Sequence, residues 1–129
     1  MPLNILIVDD SATVRAVIRK TLGLAEIPVG TLHQAGNGDE ALQILHANTI
    51  DLVFSDINMP GMGGVELIEH MHADERLRGI PVVVISTEGS TTRIEDLRSK
   101  GIRAYLRKPF TPEQLKDVVE EITGGAHED

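Results

Sequence analysis

Two stretches of this chain, Ile5-Leu6-Ile7-Val8 and Val82-Val83-Val84-Ile85, are apolar at every position. A strand with one wet face alternates apolar and polar residues. An unbroken apolar run bounded by turn residues therefore points to cover on both faces, as in a parallel sheet with helices packed on either side. Three further runs complete the pattern, so that the five are Leu3 to Val8, Thr31 to Ala35, Leu52 to Ser55, Val82 to Ile85 and Ala104 to Leu106. Segments of helical period alternate with them, again five in number, which predicts an α/β domain with a five-stranded parallel sheet. The two continuous runs belong at its centre. The more polar segments, Thr31 to Ala35 and Arg103 to Arg107, suit edge strands, where charge also blocks unwanted pairing.

The helical segments carry their own punctuation. The first follows Ser11 and offers Val14, Val17, Ile18 and Leu22 as its apolar face. The second runs from a cap at Asn37 through Ala41, Leu42 and Leu45, and the third starts near Gly64 and buries Leu67, Ile68 and Met71. The fourth, Thr91 to Lys100, has only Ile94 and Leu97 to anchor it before Gly101 ends it. The last opens on Thr111-Pro112-Glu113-Gln114, a capping box with proline at the first helical position, continues through Leu115, Val118, Val119 and Ile122, and stops at Gly124-Gly125.

Charge narrows the function. Lysine and arginine number 12 against 20 aspartates and glutamates, a net charge of -8, which disfavours nucleic acid as a direct partner because phosphate binding takes clustered positive charge. Aromatic residues are only 2% of the chain, so base-stacking platforms are scarce as well. There is no cysteine, hence no disulfide, thiol nucleophile or thiolate metal site. No apolar run approaches the ~20 residues of a membrane span and no signal segment opens the chain, so the expectation is a cytoplasmic protein with no membrane association. The five histidines, His33, His46, His70, His72 and His127, have no spacing that would bring them together on one helix face as ligands.

The chemistry lies where the runs end. Asp9 and Asp10 follow the first run, Asp56 the third, Ser86 the fourth and Lys108 the fifth. In a parallel sheet the carboxyl ends of the strands share one edge, so residues scattered through the sequence converge there. Each has a plain reading by itself: Asp10 as a helix cap, Asp56 and Ser86 as turn residues, Lys108 as a solvated charge. Together they provide a nucleophile, a set of oxygen donors suited to Mg2+ and donors for phosphoryl oxygens, which is what phosphoryl transfer to a carboxylate requires.

Asp9-Asp10-Ser11, Asp56 with Asn58-Met59-Pro60, Ser86 after Val82 to Ile85, and Lys108-Pro109-Phe110 stand in order and at the spacing of a known family. The chain resembles a CheY-like receiver domain of two-component response regulators, over nearly its whole length. That resemblance implies a flavodoxin-like (βα)5 three-layer sandwich with strand order 2-1-3-4-5, a receiver domain at 1–125 and a frayed tail at 126–129. It implies Asp56 as the phosphoacceptor, with Asp10, Asp56 and the Asn58 backbone carbonyl ligating Mg2+ and Asp9 acting through water. Lys108 would pair with a phosphoryl oxygen, Ser86 would move to hydrogen-bond another, and Tyr105 would turn inward behind Ser86. Asn58 and Glu88 match chemotaxis-type members at positions that influence loss of phosphate. The family also implies a cis peptide at Lys108-Pro109. Two departures stand out: Gly63 replaces a frequent aspartate, which predicts a differently capped third helix, and Thr87 replaces a frequent alanine or glycine beside the phosphoryl pocket.

On this reading the protein is a switch rather than a conventional enzyme, one that assists its own phosphorylation and dephosphorylation. The implied partners are a sensor histidine kinase, a downstream target such as a flagellar motor switch, and a phosphatase, with the chain itself a monomer. A stand-alone phosphorelay intermediate, or a regulator of another kinase, fits the same residues. A haloacid-dehalogenase-like Mg2+ phosphatase fits them less well, because its first strand carries Asp-x-Asp whereas Asp9 and Asp10 are adjacent.

Overall fold

The protein is described from a computed structural model, which covers residues 2–57, 61–87 and 91–123 and leaves out the side chains of Thr91 and Arg93. Strands and helices alternate strictly: β1 (Leu3–Val8), α1 (Ala12–Leu24), β2 (Val29–Ala35), α2 (Gly38–Ala47), β3 (Leu52–Ser55), α3 (Gly64–Ala73), β4 (Val82–Ser86), α4 (Thr91–Ser99), β5 (Ala104–Arg107) and α5 (Pro112–Thr123). All pairings are parallel, and the sheet order is β2-β1-β3-β4-β5, with the edges at the two polar strands. The expected (βα)5 sandwich is borne out.

Side-chain alternation along the strands divides the core into two layers. Leu6 and Val8, Val53, Val82 and Val84 face one side with Ala41 and Leu45 of α2, Leu67, Ile68 and Met71 of α3, and Leu97 of α4. Ile5 and Ile7, Leu52 and Phe54, Val83 and Ile85, Ala104 and Leu106 face the other with Ile18 and Leu22 of α1 and Leu115 and Val119 of α5. Both faces are covered, which is why the central runs show no polar alternation.

Helix ends follow local chemistry. Ser11 caps α1 by accepting from the Val14 N–H at 3.2 Å, and Asn37 caps α2 by accepting from Glu40 N–H at 2.9 Å. The box at α5 closes as expected: Thr111 N–H donates to Gln114 Oε1 at 2.9 Å and Gln114 N–H to Thr111 Oγ1 at 3.1 Å. Gly101, with φ +107°, ends α4 in a reverse turn in which Gly101 N–H donates to the Arg98 carbonyl and Ile102 N–H to that of Leu97. The same pair of bonds closes α1 around Glu26, a non-glycine residue at φ 59°. Gly124-Gly125 and the tail from residue 126 lie outside the described residues, so the stop of α5 and the frayed end are not part of this description.

Four boundaries and one face differ from expectation, and among them α4 stops at Ser99, one residue short of Lys100. β2 begins at Val29 rather than Thr31, because Leu3 N–H donates to the Pro28 carbonyl and pairs the strands from there, although Val29 and Gly30 are exposed. β4 and β5 each extend one residue further, to Ser86 and Arg107, carried by the Ser86–Arg107 pairing. Val17 is 53% exposed instead of buried. The inward stripe of α1 is Val14, Ile18, Thr21 and Leu22, and at 100° per residue Val17 lies about 85° from its centre. Thr21 takes the inward place because its hydroxyl is satisfied within the helix by the Val17 carbonyl at 2.7 Å.

Candidate functional site

At the carboxyl edge of the sheet the chain is held by backbone bonds between neighbouring strand ends. Asp9 N–H donates to the Ala35 carbonyl at 3.0 Å, Asp56 N–H to that of Val8 at 2.9 Å, and Lys108 N–H to that of Ser86 at 2.8 Å. These bonds set where the side chains begin. Asp9 is 2% exposed, with Oδ1 accepting from Ser11 N–H at 2.9 Å, so the residue that caps α1 also orients the buried carboxylate. Asp10 is exposed and Asp56 half-buried, with its Oδ1 fixed by Ile57 N–H at 2.8 Å. Carboxylate oxygens of Asp9, Asp10 and Asp56 all lie within 4.8 Å of one another.

Lys108 closes this cluster. Its Nζ sits 3.4 Å from Asp9 Oδ2, with the lysine side chain 22% exposed and the aspartate 3%. The Lys108-Pro109 peptide is cis, as expected. Lys108 offsets the charge of Asp9, while the carboxylates of Asp10 and Asp56 beside it remain to attract a cation. The donors are all oxygens, one buried and two reachable from solvent, which matches a small hard cation that keeps part of its water. The cluster therefore fits Mg2+.

Ser86, 2% exposed, has the same strand parity as Val82 and Val84 and so lies on the α2/α3/α4 side. Tyr105 pairs in register with Val84 and packs into the same layer. Its ring is half-buried, and its hydroxyl is buried with no hydrogen-bond partner among the described residues. The Tyr105 hydroxyl is thus enclosed in this layer. Beside it α4 is thinly anchored, with Leu97 fully buried and Ile94 half-buried.

Two glycines let helices approach the site. A Cβ on Gly64 would fall 2.1 Å from the Asp56 carbonyl oxygen and 2.9 Å from Ile57 Cα, and Gly64 N–H donates to the Ile57 carbonyl at 2.8 Å. The start of α3 thus rests on the backbone of Asp56 itself. Gly38, at the start of α2, donates to the Met62 carbonyl at 3.0 Å, and its missing Cβ is replaced by the Met62 side chain. Gly63 caps α3 without any side-chain bond, as its departure from aspartate predicts. Thr87 is exposed at the rim, while Asn58 and Glu88 lie outside the described residues.

One residue was missed in the sequence. Arg15 donates through Nη1 to the Asp9 backbone carbonyl and through Nε to Gln34 Oε1 at 3.1 Å. Its only trace in the sequence is a position one turn after the Ser11 cap, next to the inward stripe of α1.

The profile of the response regulator receiver domain matches residues 5–120. The chain belongs to the response regulator receiver family. This receiver is 37% identical to the chemotaxis protein CheY of Pseudomonas aeruginosa over 120 residues, 93% of this chain and 95% of that one. The crystal structure of CheY4 of Vibrio cholerae superposes with a TM-score of 0.84 at 29% identity, covering 95% of this chain and 99% of the other. The receiver domain of the sensor histidine kinase PA1611 of Pseudomonas aeruginosa shares the fold, with a TM-score of 0.83 at 21% identity over 96% and 99% of the two chains. That domain was solved with a magnesium ion coordinated in its active-site cleft. Receivers of the CheY type are signalling proteins rather than conventional enzymes, phosphorylated by histidine kinases and acting through downstream targets. Among the described residues no helix is long and apolar enough to cross a membrane.

Proposed function

We propose that this receiver accepts a phosphoryl group from a sensor histidine kinase on Asp56 and signals by binding a target only when phosphorylated, in chemotaxis or motility. The observation that carries the reading is the convergence of Asp9, Asp10 and Asp56 beside the Lys108 ammonium. An Asp56 carboxylate oxygen attacks phosphorus, the P–N bond of the phosphohistidine breaks, and the imidazole leaves with the electron pair. Bound Mg2+ would supply charge neutralisation between the carboxylates and the incoming dianion, held by Asp10, Asp56 and the Asn58 carbonyl, with Asp9 reaching it through water.

Asp56 is presented to the donor with its rotation fixed by Ile57 N–H. Lys108, paired with Asp9 beside the cluster, turns to an oxygen added at Asp56 and neutralises its charge. Ser86 donates to a second oxygen, and the Tyr105 side chain, whose hydroxyl is already buried, repacks behind it. α4, with its sparse anchorage, is the element that shifts. To carry a population from about 1:99 to 99:1, the phosphoryl group must favour the active state by about 5.5 kcal/mol. Asn58 and Glu88 tune the lifetime of the acyl phosphate, a phosphatase shortens it further, and the receiver works in the cytoplasm as a monomer.

The test is intact mass after incubation with acetyl phosphate and Mg2+, with Asp56→Asn as control. A transient, Mg2+-dependent gain of one phosphoryl group that is lost in the variant is expected. Equal labelling of the Asp56→Asn protein would move the nucleophile elsewhere.

A further inference from the structure

The cation site depends on the turn between β1 and α1, because that turn carries two of its three carboxylates. Asp9 and Asp10 are adjacent, so a small rotation of the backbone there swings both. The backbone N–H of Asp9 is tied to β2 through Ala35, and its side chain to Ser11. Its carbonyl is tied by Arg15, whose guanidinium is in turn braced against Gln34 on β2. A planar guanidinium with donors on two sides is suited to such a brace, where a lysine would make only one of the two contacts in a fixed direction.

Resting on the Mg2+ reading above, we infer that Arg15 is a positioning residue for the cation site: it clamps the Asp9 carbonyl between α1 and β2 and so keeps the Asp9 and Asp10 carboxylates aimed at Asp56. It touches neither the ion nor the phosphoryl group. Groups that orient metal ligands from behind cost about 10- to 100-fold in affinity when removed. The Arg15 clamp acts on a backbone carbonyl rather than on a ligand atom, so the lower end, about tenfold, applies.

The sign of the effect separates positioning from charge. Arg15 is a cation close to a cation site, so if only its charge mattered, removing it would tighten Mg2+ binding. A clamp predicts the opposite. Mg2+ affinity would be measured by isothermal titration calorimetry on the full chain for wild type, Arg15→Met and Arg15→Lys, with thermal unfolding of each in parallel. Arg15→Met keeps the apolar stem and loses both donors, and is expected to bind Mg2+ about tenfold more weakly. Arg15→Lys keeps the charge and one donor, and is expected to fall between. Tighter or unchanged binding by Arg15→Met, or wild-type affinity in Arg15→Lys, overturns the assignment. Should Arg15→Met fail to fold, the lysine variant decides alone by the same criterion. No Mg2+ binding by the wild type would instead sink the reading of the site on which the inference rests.

Discussion

Gly64→Ala is the smallest change that strikes both the fold and Asp56, the proposed phosphoacceptor. The added Cβ would stand 2.1 Å from the Asp56 carbonyl oxygen, about 1.3 Å inside ordinary contact at 3.4 Å, and also 3.0 Å from the Asp56 carbonyl carbon. These are backbone atoms and cannot rotate away, so either α3 or the Asp56–Ile57 segment must move. Overpacking of a tight interior costs roughly 1–3 kcal/mol, and losing the Gly64–Ile57 hydrogen bond costs about 1 kcal/mol more. Residue 64 is at the first helical position, where the better propensity of alanine offsets little. The expected loss is about 3 kcal/mol, equivalent to about 10 °C in melting temperature for a domain of this size. Gly23→Ala is the internal control, since a Cβ there meets nothing within 4 Å and the site is an exposed position in α1. That variant should gain roughly 0.5–1 kcal/mol. Both are measured by denaturant and thermal unfolding, with acetyl phosphate labelling below the melting temperature to report on Asp56. A Gly64→Ala protein within about 1 kcal/mol of wild type, and labelled at the normal rate, would refute the close approach as described.

Lys108→Ala leaves the buried Asp9 carboxylate without its ammonium, so the Mg2+-free protein should lose about 2 kcal/mol, less than a fully buried pair because the lysine is partly exposed. Mg2+ should then raise its melting temperature by more than it raises that of wild type, and equal shifts would argue against Lys108 as the counter-ion. The same variant should still label at Asp56 while failing to bind the target. Tyr105→Phe removes a buried hydroxyl that has no partner among the described residues, so its stability should be unchanged or up to ~1 kcal/mol higher, and a loss of that size on unfolding would mean the hydroxyl is paired in solution. Glu26→Gly relieves a left-handed backbone at the end of α1 and should gain about 1 kcal/mol in denaturant unfolding, with no gain if that turn opens in solution.

The legible parts of this chain are those where one physical demand dominates. Burial on both faces marked β1 and β4, and the strand-end positions of Asp9, Asp10, Asp56 and Lys108 marked the residues that the fold brings together. Two-way hydrogen bonding made the Thr111–Gln114 box readable to the residue. Elements set by backbone pairing alone were not readable: Val29 and Gly30 are exposed, and join β2 only because Leu3 reaches Pro28. Val17 misled because valine on a helix suggests burial, whereas Thr21 can hide its hydroxyl and take the inward place. The Arg15 clamp was invisible for a related reason, since its target is a carbonyl that every residue carries.

The pairing of β4 with β5 ties several groups to a single parity. Val84 opposite Tyr105 and Ser86 opposite Arg107 put the serine and the tyrosine on the α4 side, while the Lys108 N–H bond to the Ser86 carbonyl sets the lysine at the strand end. Because strand side chains alternate, removing one residue between Tyr105 and Lys108 would displace the lysine and the tyrosine relative to one another, and shifting the pairing by one would turn Tyr105 toward α1 and α5. Insertions and deletions, more than substitutions, are therefore the genetic lesions this strand tolerates least: on the proposed reading, a single codon lost there would separate receiving the signal from passing it on.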